Sequence, residues 1–154
     1  MNPPFDDPTP RQVRPGEYPA LDEALALVNR DLAATLPEQA PLRMMALPHG
    51  EEGEPENVYV SPPDGDWWGS RLWLNSPDSP RDDPLATLAV VAEAAQDALT
   101  EDLWQAWPVC TVHDLGMHLG EADGRPVWRC AGAGRDPEHV RAAVGELDTL
   151  RRGR

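Results

Sequence analysis

Cys110-Thr-Val-His113-Asp-Leu-Gly-Met-His118-Leu-Gly-Glu-Ala-Asp123-Gly124-Arg-Pro-Val-Trp128-Arg-Cys130 is the stretch whose reading decides the fold. It holds both cysteines of the chain and two of its four histidines. Asp-Gly is a strong hairpin signal, because a two-residue loop needs positive φ at both central positions. A two-residue turn at Asp123-Gly124 pairs Met117 with Cys130, Leu119 with Trp128 and Glu121 with Pro126. Met117, Leu119, Trp128 and Cys130 then share one face, while His118 and Arg129 point the other way. A three-residue turn over Ala122–Gly124 shifts the pairing and brings His118 onto the face of Cys130.

The same residues carry the only spacing that suggests specific chemistry. Zinc takes four nitrogen or sulfur donors in a tetrahedron, and Cys110-x2-His113 supplies two from one tight turn. The returning strand adds Cys130. With the wider turn the fourth donor is His118, so the candidate ligands are Cys110, His113, His118 and Cys130. With the narrower turn the fourth is His139 or water. The motif is incomplete by ligand count, so the cofactor reading is none, with a structural zinc as the alternative. In the metal-free reading Cys130 packs as a small hydrophobe beside Met117 and Trp128.

The order Cys110, His113, His118, Cys130 resembles a zinc ribbon with a degenerate second knuckle, over about residues 107–131. Where a ribbon would carry a further Cys or His, the chain has Ala131, Gly132 and Ala133. Trp107-Pro-x-Cys110-x-x-His113 with Trp128-x-Cys130 is also similar to a pattern in uncharacterised actinobacterial proteins. That likeness implies a shared fold and no particular activity.

Outward from the hairpin the pattern is that of an α+β protein. Leu21, Leu25, Val28, Leu32 and Leu36 recur at helical spacing and predict an amphipathic helix over 19–36, stopped by Pro37. Leu42–Leu47, Asn57–Ser61 and Trp67–Asn75 are strand candidates, with links short enough for an antiparallel meander. Asp83-Pro84 opens a second helix, 84–107, with Leu85, Leu88, Ala92, Ala95, Leu99 and Leu103 on one face and Pro108 as its end. Asp136-Pro137 repeats the cap signal, and Val140, Ala143, Val144, Leu147 and Leu150 predict a C-terminal helix. The expected fold is a short antiparallel meander packed by two amphipathic helices, then a ribbon-like hairpin and that helix. Residues 1–16, with Pro3, Pro4, Pro8, Pro10 and Pro15, read as a flexible arm. Residues 17–154 read as a single domain that includes the hairpin 108–131.

The chain has 154 residues and a formal charge of −14. Nucleic-acid binding needs a basic footprint, and this balance is the opposite, so nucleic acid is excluded as the expected partner. Anionic membranes are disfavoured for the same reason, and no apolar run approaches a membrane span. A protein partner, basic in character, is the electrostatically natural one. The cations are all Arg, with no Lys and no Ile in the chain, which points to a GC-rich genome of actinobacterial type. The start shows no secretory pattern, and the expected compartment is the cytoplasm, where both thiols stay reduced.

Six tryptophans accompany one Phe and two Tyr. Adjacent Trp67 and Trp68 point to opposite sides of a strand, so one of them is the expected partner-facing residue. Trp73, Trp104 and Trp128 read as core fillers. The leading functional expectation is a non-catalytic interaction or regulatory protein. An immunity or inhibitor protein that covers a basic site is the first alternative. An enzyme working near Cys110 and His113 is the second, although no third residue that would orient the imidazole is evident in the sequence.

Overall fold

Leu88, Val91, Ala92, Ala95 and Leu99 form the buried side of a long helix that joins the two halves of the protein. The computed structural model describes residues 11–47, 57–62, 70–72, 84–110, 113–132 and 134–147. Within them the α+β class holds, with two helices and antiparallel sheets. Helix α1 spans Pro19–Thr35 and helix α2 spans Pro84–Leu103. Strands β1 (Arg11–Gln12), β2 (Arg43–Leu47), β3 (Asn57–Ser61) and β4 (Ser70–Leu72) form one sheet in that order. Strands β5 (Val109–Cys110) and β6 (Leu115–Gly116) form a small ribbon. Strands β7 (His118–Ala122), β8 (Arg125–Cys130) and β9 (His139–Ala143) form a third sheet.

The expected meander is present, because adjacent antiparallel strands joined by short links pair with their neighbours. Met44 faces Val60 and Ala46 faces Val58, so alternate residues of β2 and β3 supply the buried face. Arg11 and Gln12, placed in the arm by their neighbouring prolines, instead pair with Ala46 and Met45, and Val13 is buried. Residues 1–10 lie outside the described residues. Helix α1 buries Leu21, Leu25, Val28 and Leu32, the stripe its spacing predicts. Asn29 donates to and accepts from the backbone of Leu42, so a polar position of α1 sets the entry to β2.

Helix α2 touches α1, β3, β4, β7 and β8. Its buried surface is accordingly wide and includes Ala94 and Ala98, where small side chains allow close approach. It ends at Leu103 and not at 107, because Trp104 takes a left-handed conformation with φ 56°. The expectation that Trp104 fills the core is overturned, since the residue is 91% exposed. Trp128 is fully buried, as expected, and Trp73 lies outside the described residues. Leu88→Asp is expected to cost several kcal/mol by burying an unpartnered carboxylate, while Asp97→Ala on the exposed side stays within about half of one. Similar thermal melting midpoints for the two variants would contradict this phase of the helix.

The largest correction concerns the C-terminal helix. Residues 139–143 form β9, paired along β8, and Val140 is exposed where the helix reading buries it. Two features oppose a helix there. Gly145 adopts φ 96°, and the Asp31 carboxylate, fully buried on α1, accepts from the backbone N–H of Gly145 at 2.7 Å and of Leu147 at 2.9 Å. A Cβ at position 145 would press on Leu27, so the chain passes α1 closely at that glycine. Val144 and Leu147 are still buried, but from an extended and turning segment. Tertiary pairing has outweighed local helical spacing.

Candidate metal centre

The hairpin forms with the two-residue turn. Asp123 and Gly124 have φ of 52° and 77°, and Leu119 pairs with Trp128 and Glu121 with Pro126. Cys130 therefore faces inward with Met117 and Trp128, all buried. His118 sits opposite Arg129 on the other face and is exposed. That corrects the candidate set: His118 is not among the converging donors. A single register step decides it, since side chains alternate with period two.

The fourth donor is His139. Along β8 and β9, Trp128 pairs with Ala142, yet Cys130 pairs with His139. The register shifts by one between Trp128 and Arg129, and Arg141 is the extra residue of the bulge. Without that bulge Val140 would face Cys130. With it, Cys130 and His139 become directly opposed neighbours on one face. Cys110, at the end of β5, and His113, in the following turn, come from the other side. That turn is closed by the Asp114 N–H donating to the carbonyl of Cys110 at 2.7 Å.

Cys110 Sγ, His113 Nδ1, Cys130 Sγ and His139 Nε2 are the donor atoms that face one another in this group, whose ligand atoms all lie within 4.8 Å of each other. His113 Nδ1 lies 3.4 Å from Cys130 Sγ and 3.7 Å from Cys110 Sγ, and His139 Nε2 lies 3.8 Å from Cys110 Sγ. Zinc bonds of about 2.3 Å to sulfur and about 2.0–2.1 Å to nitrogen set a tetrahedral S–N edge of roughly 3.5 Å. The separations match that scale. Neither cysteine is in a disulfide, both are fully buried, and the His113 side chain is 8% exposed.

The surroundings orient the donors. His113 Nε2 lies 2.8 Å from Asp136 Oδ2, and His139 Nδ1 lies 3.3 Å from the carbonyl of Pro137. Each acceptor favours a proton on the outward nitrogen, which leaves the inward lone pair free for a metal. The Gly132 N–H points to Cys130 Sγ at 3.4 Å. Gly132 has φ 80°, and a Cβ there would overlap the carbonyls of Asp136 and Pro137. Only glycine lets the chain after Cys130 pass beneath the 136–137 segment that holds both imidazoles. Asp136 and Gly132 carry no recognisable metal signal in the sequence. Asp136-Pro137 imitates a helix cap, and Gly132 stands where a ribbon would repeat a ligand.

The hydrogen bond to Asp136, and next that to Cys110, raises the His113 pKa above its ordinary 6.5. In metal-free protein the charged pair therefore stabilises the fold fully below pH 6.5, and this is lost as pH rises through the higher folded value. Asp136→Asn is expected to lower the melting temperature of chelator-treated protein at pH 6 by more than at pH 9. An equal fall at both values would count against a protonated His113.

Trp67 and Trp68, the expected partner-facing residues, lie outside the described residues. No helix among the described residues is long and apolar enough to cross a membrane. The chain matches no protein-family model, no curated protein and no solved structure.

Proposed function

We propose that this chain is a non-catalytic binding protein, directed at a basic protein partner, and that Cys110, His113, Cys130 and His139 hold one structural zinc. The observation that carries the metal assignment is the convergence of four protein donors whose outward imidazole nitrogens are both tied to acceptors. Four protein ligands leave no position for a substrate, which is the mark of a structural site. Two thiolates neutralise the divalent ion, so the filled site carries no net charge into its buried surroundings. The metal would staple the β5 turn to the ends of β8 and β9. The formal charge of −14 supports the basic partner.

Elemental analysis of protein purified without a His-tag tests the assignment. About one zinc per chain is expected, with proton release on reloading of the stripped protein, because both thiols ionise on binding. Absence of stoichiometric zinc, or a melting temperature unmoved by chelation, would refute a structural metal.

One observation favours an enzyme instead. His113 bridges Cys110 Sγ and Asp136, the order of nucleophile, base and orienting acid, and Asp136 supplies the third group not evident in the sequence. Cys110 is fully buried, however, and His113 Nδ1 lies closer to Cys130 than to Cys110. Alkylation of chelator-treated native protein by iodoacetamide separates the readings. A structural thiol labels no faster than the amides of 108–132 open to hydrogen exchange in the same stripped protein, a nucleophile far faster.

A further inference from the structure

Trp104 is the one large aromatic ring among the described residues that stands almost wholly in water, whereas Trp107 and Trp128 are buried. It borders an open groove of ≈ 670 Å³ between the end of α2 and the β6–β7 segment, lined also by Asp97, Glu101, Trp107, Met117 and His118. Asp97 and Glu101 lie four residues apart on α2 and so face the same way, and like charges at that spacing repel. Among the described residues no arginine lines the groove, and no ion pair involves either carboxylate. The site thus pairs an exposed indole with two uncompensated carboxylates, the combination that receives a planar cation.

We propose that this groove docks a basic segment of the partner protein by seating an arginine side chain against Trp104, its guanidinium paired with Asp97 and Glu101. The inference deepens the binding reading above and does not depend on the metal. Trp has the strongest cation-attracting face of the aromatic residues, and the guanidinium fork matches carboxylate oxygens. A lysine fits less well, because it neither stacks nor binds in a bidentate manner.

The test is a titration of the full chain with acetyl-Gly-Arg-Gly-Arg-Gly-amide at low salt, followed by the indole N–H resonances. The Trp104 resonance, assigned by its loss in Trp104→Gly, is expected to shift. Those of Trp107 and Trp128, held by Thr35 and Asp31, are expected to stay. Glycine suits the left-handed backbone at position 104, so this variant keeps the fold. It is expected to weaken binding about three- to tenfold. Asp97→Asn/Glu101→Gln is expected to weaken it more than Glu121→Gln/Asp123→Asn, which removes equal charge on the far hairpin. Equal weakening by the two double variants, or binding without a Trp104 shift, would overturn the groove while leaving a basic partner in place. No binding of the peptide at all would overturn both.

Discussion

Asp31→Ala is expected to lower stability by about 3–5 kcal/mol, since each orphaned buried donor costs about 1–3 kcal/mol before any water enters. The carboxylate is fully buried and accepts from Trp128 Nε1 at 2.8 Å and from the N–H groups of Gly145 and Leu147. These contacts tie α1 to β8 and to the turn after β9. Without them three donors face a space too apolar to satisfy them. For a chain of this size the loss corresponds to a fall in melting temperature of roughly 6–20 °C. Trp128→Phe removes one of the three donors, and its effect should add to Asp31→Ala by less than the sum, because both act on one network. A melting temperature for Asp31→Ala within about 2 °C of the parent would show that the node contributes little.

Cys110→Ser and Cys130→Ser are each expected to abolish stoichiometric zinc and to loosen 108–132 and 139–143 together, because site binding energy there is local folding energy. Serine is a near-isostere but a poor zinc ligand at neutral pH, so packing is preserved while coordination is lost. His139→Ala is expected to deplete zinc as well, and His118→Ala to leave it unchanged. That contrast tests the register directly. Asp136→Asn should weaken zinc binding about 10- to 100-fold without removing a ligand. Hydrogen exchange and metal content measured on the same samples read both effects. Full zinc in His139→Ala with loss in His118→Ala would mean that the hairpin is one residue out of register.

Much of this architecture was legible from short-range pattern. The spacing of Leu21, Leu25, Val28 and Leu32 placed the face of α1, and Pro84 with its following apolar stripe placed α2. Asp123-Gly124 marked the hairpin but left a two- or a three-residue turn open; the structure takes the narrower one, which pairs Leu119 with Trp128 and turns His118 away from the face of Cys130. Cys110, His113 and Cys130 were identifiable as donors because their residue types and a two-residue spacing are local facts.

The remainder depended on contacts between distant parts of the chain. Val140, Ala143, Val144 and Leu147 carry a helical period, yet β8 offers residues 139–143 a ladder and Asp31 captures the N–H groups that follow. Trp104 falls at helical spacing from the exposed Asp97 and Glu101 and is itself exposed, with the left-handed φ that ends α2. His139 joins the site only through a one-residue bulge against β8, and Asp136 meets His113 across 23 positions of sequence. Local periodicity reports which residues share a face of one element. Which element then faces it is set by pairing and burial over long separations, and no window of sequence contains both partners.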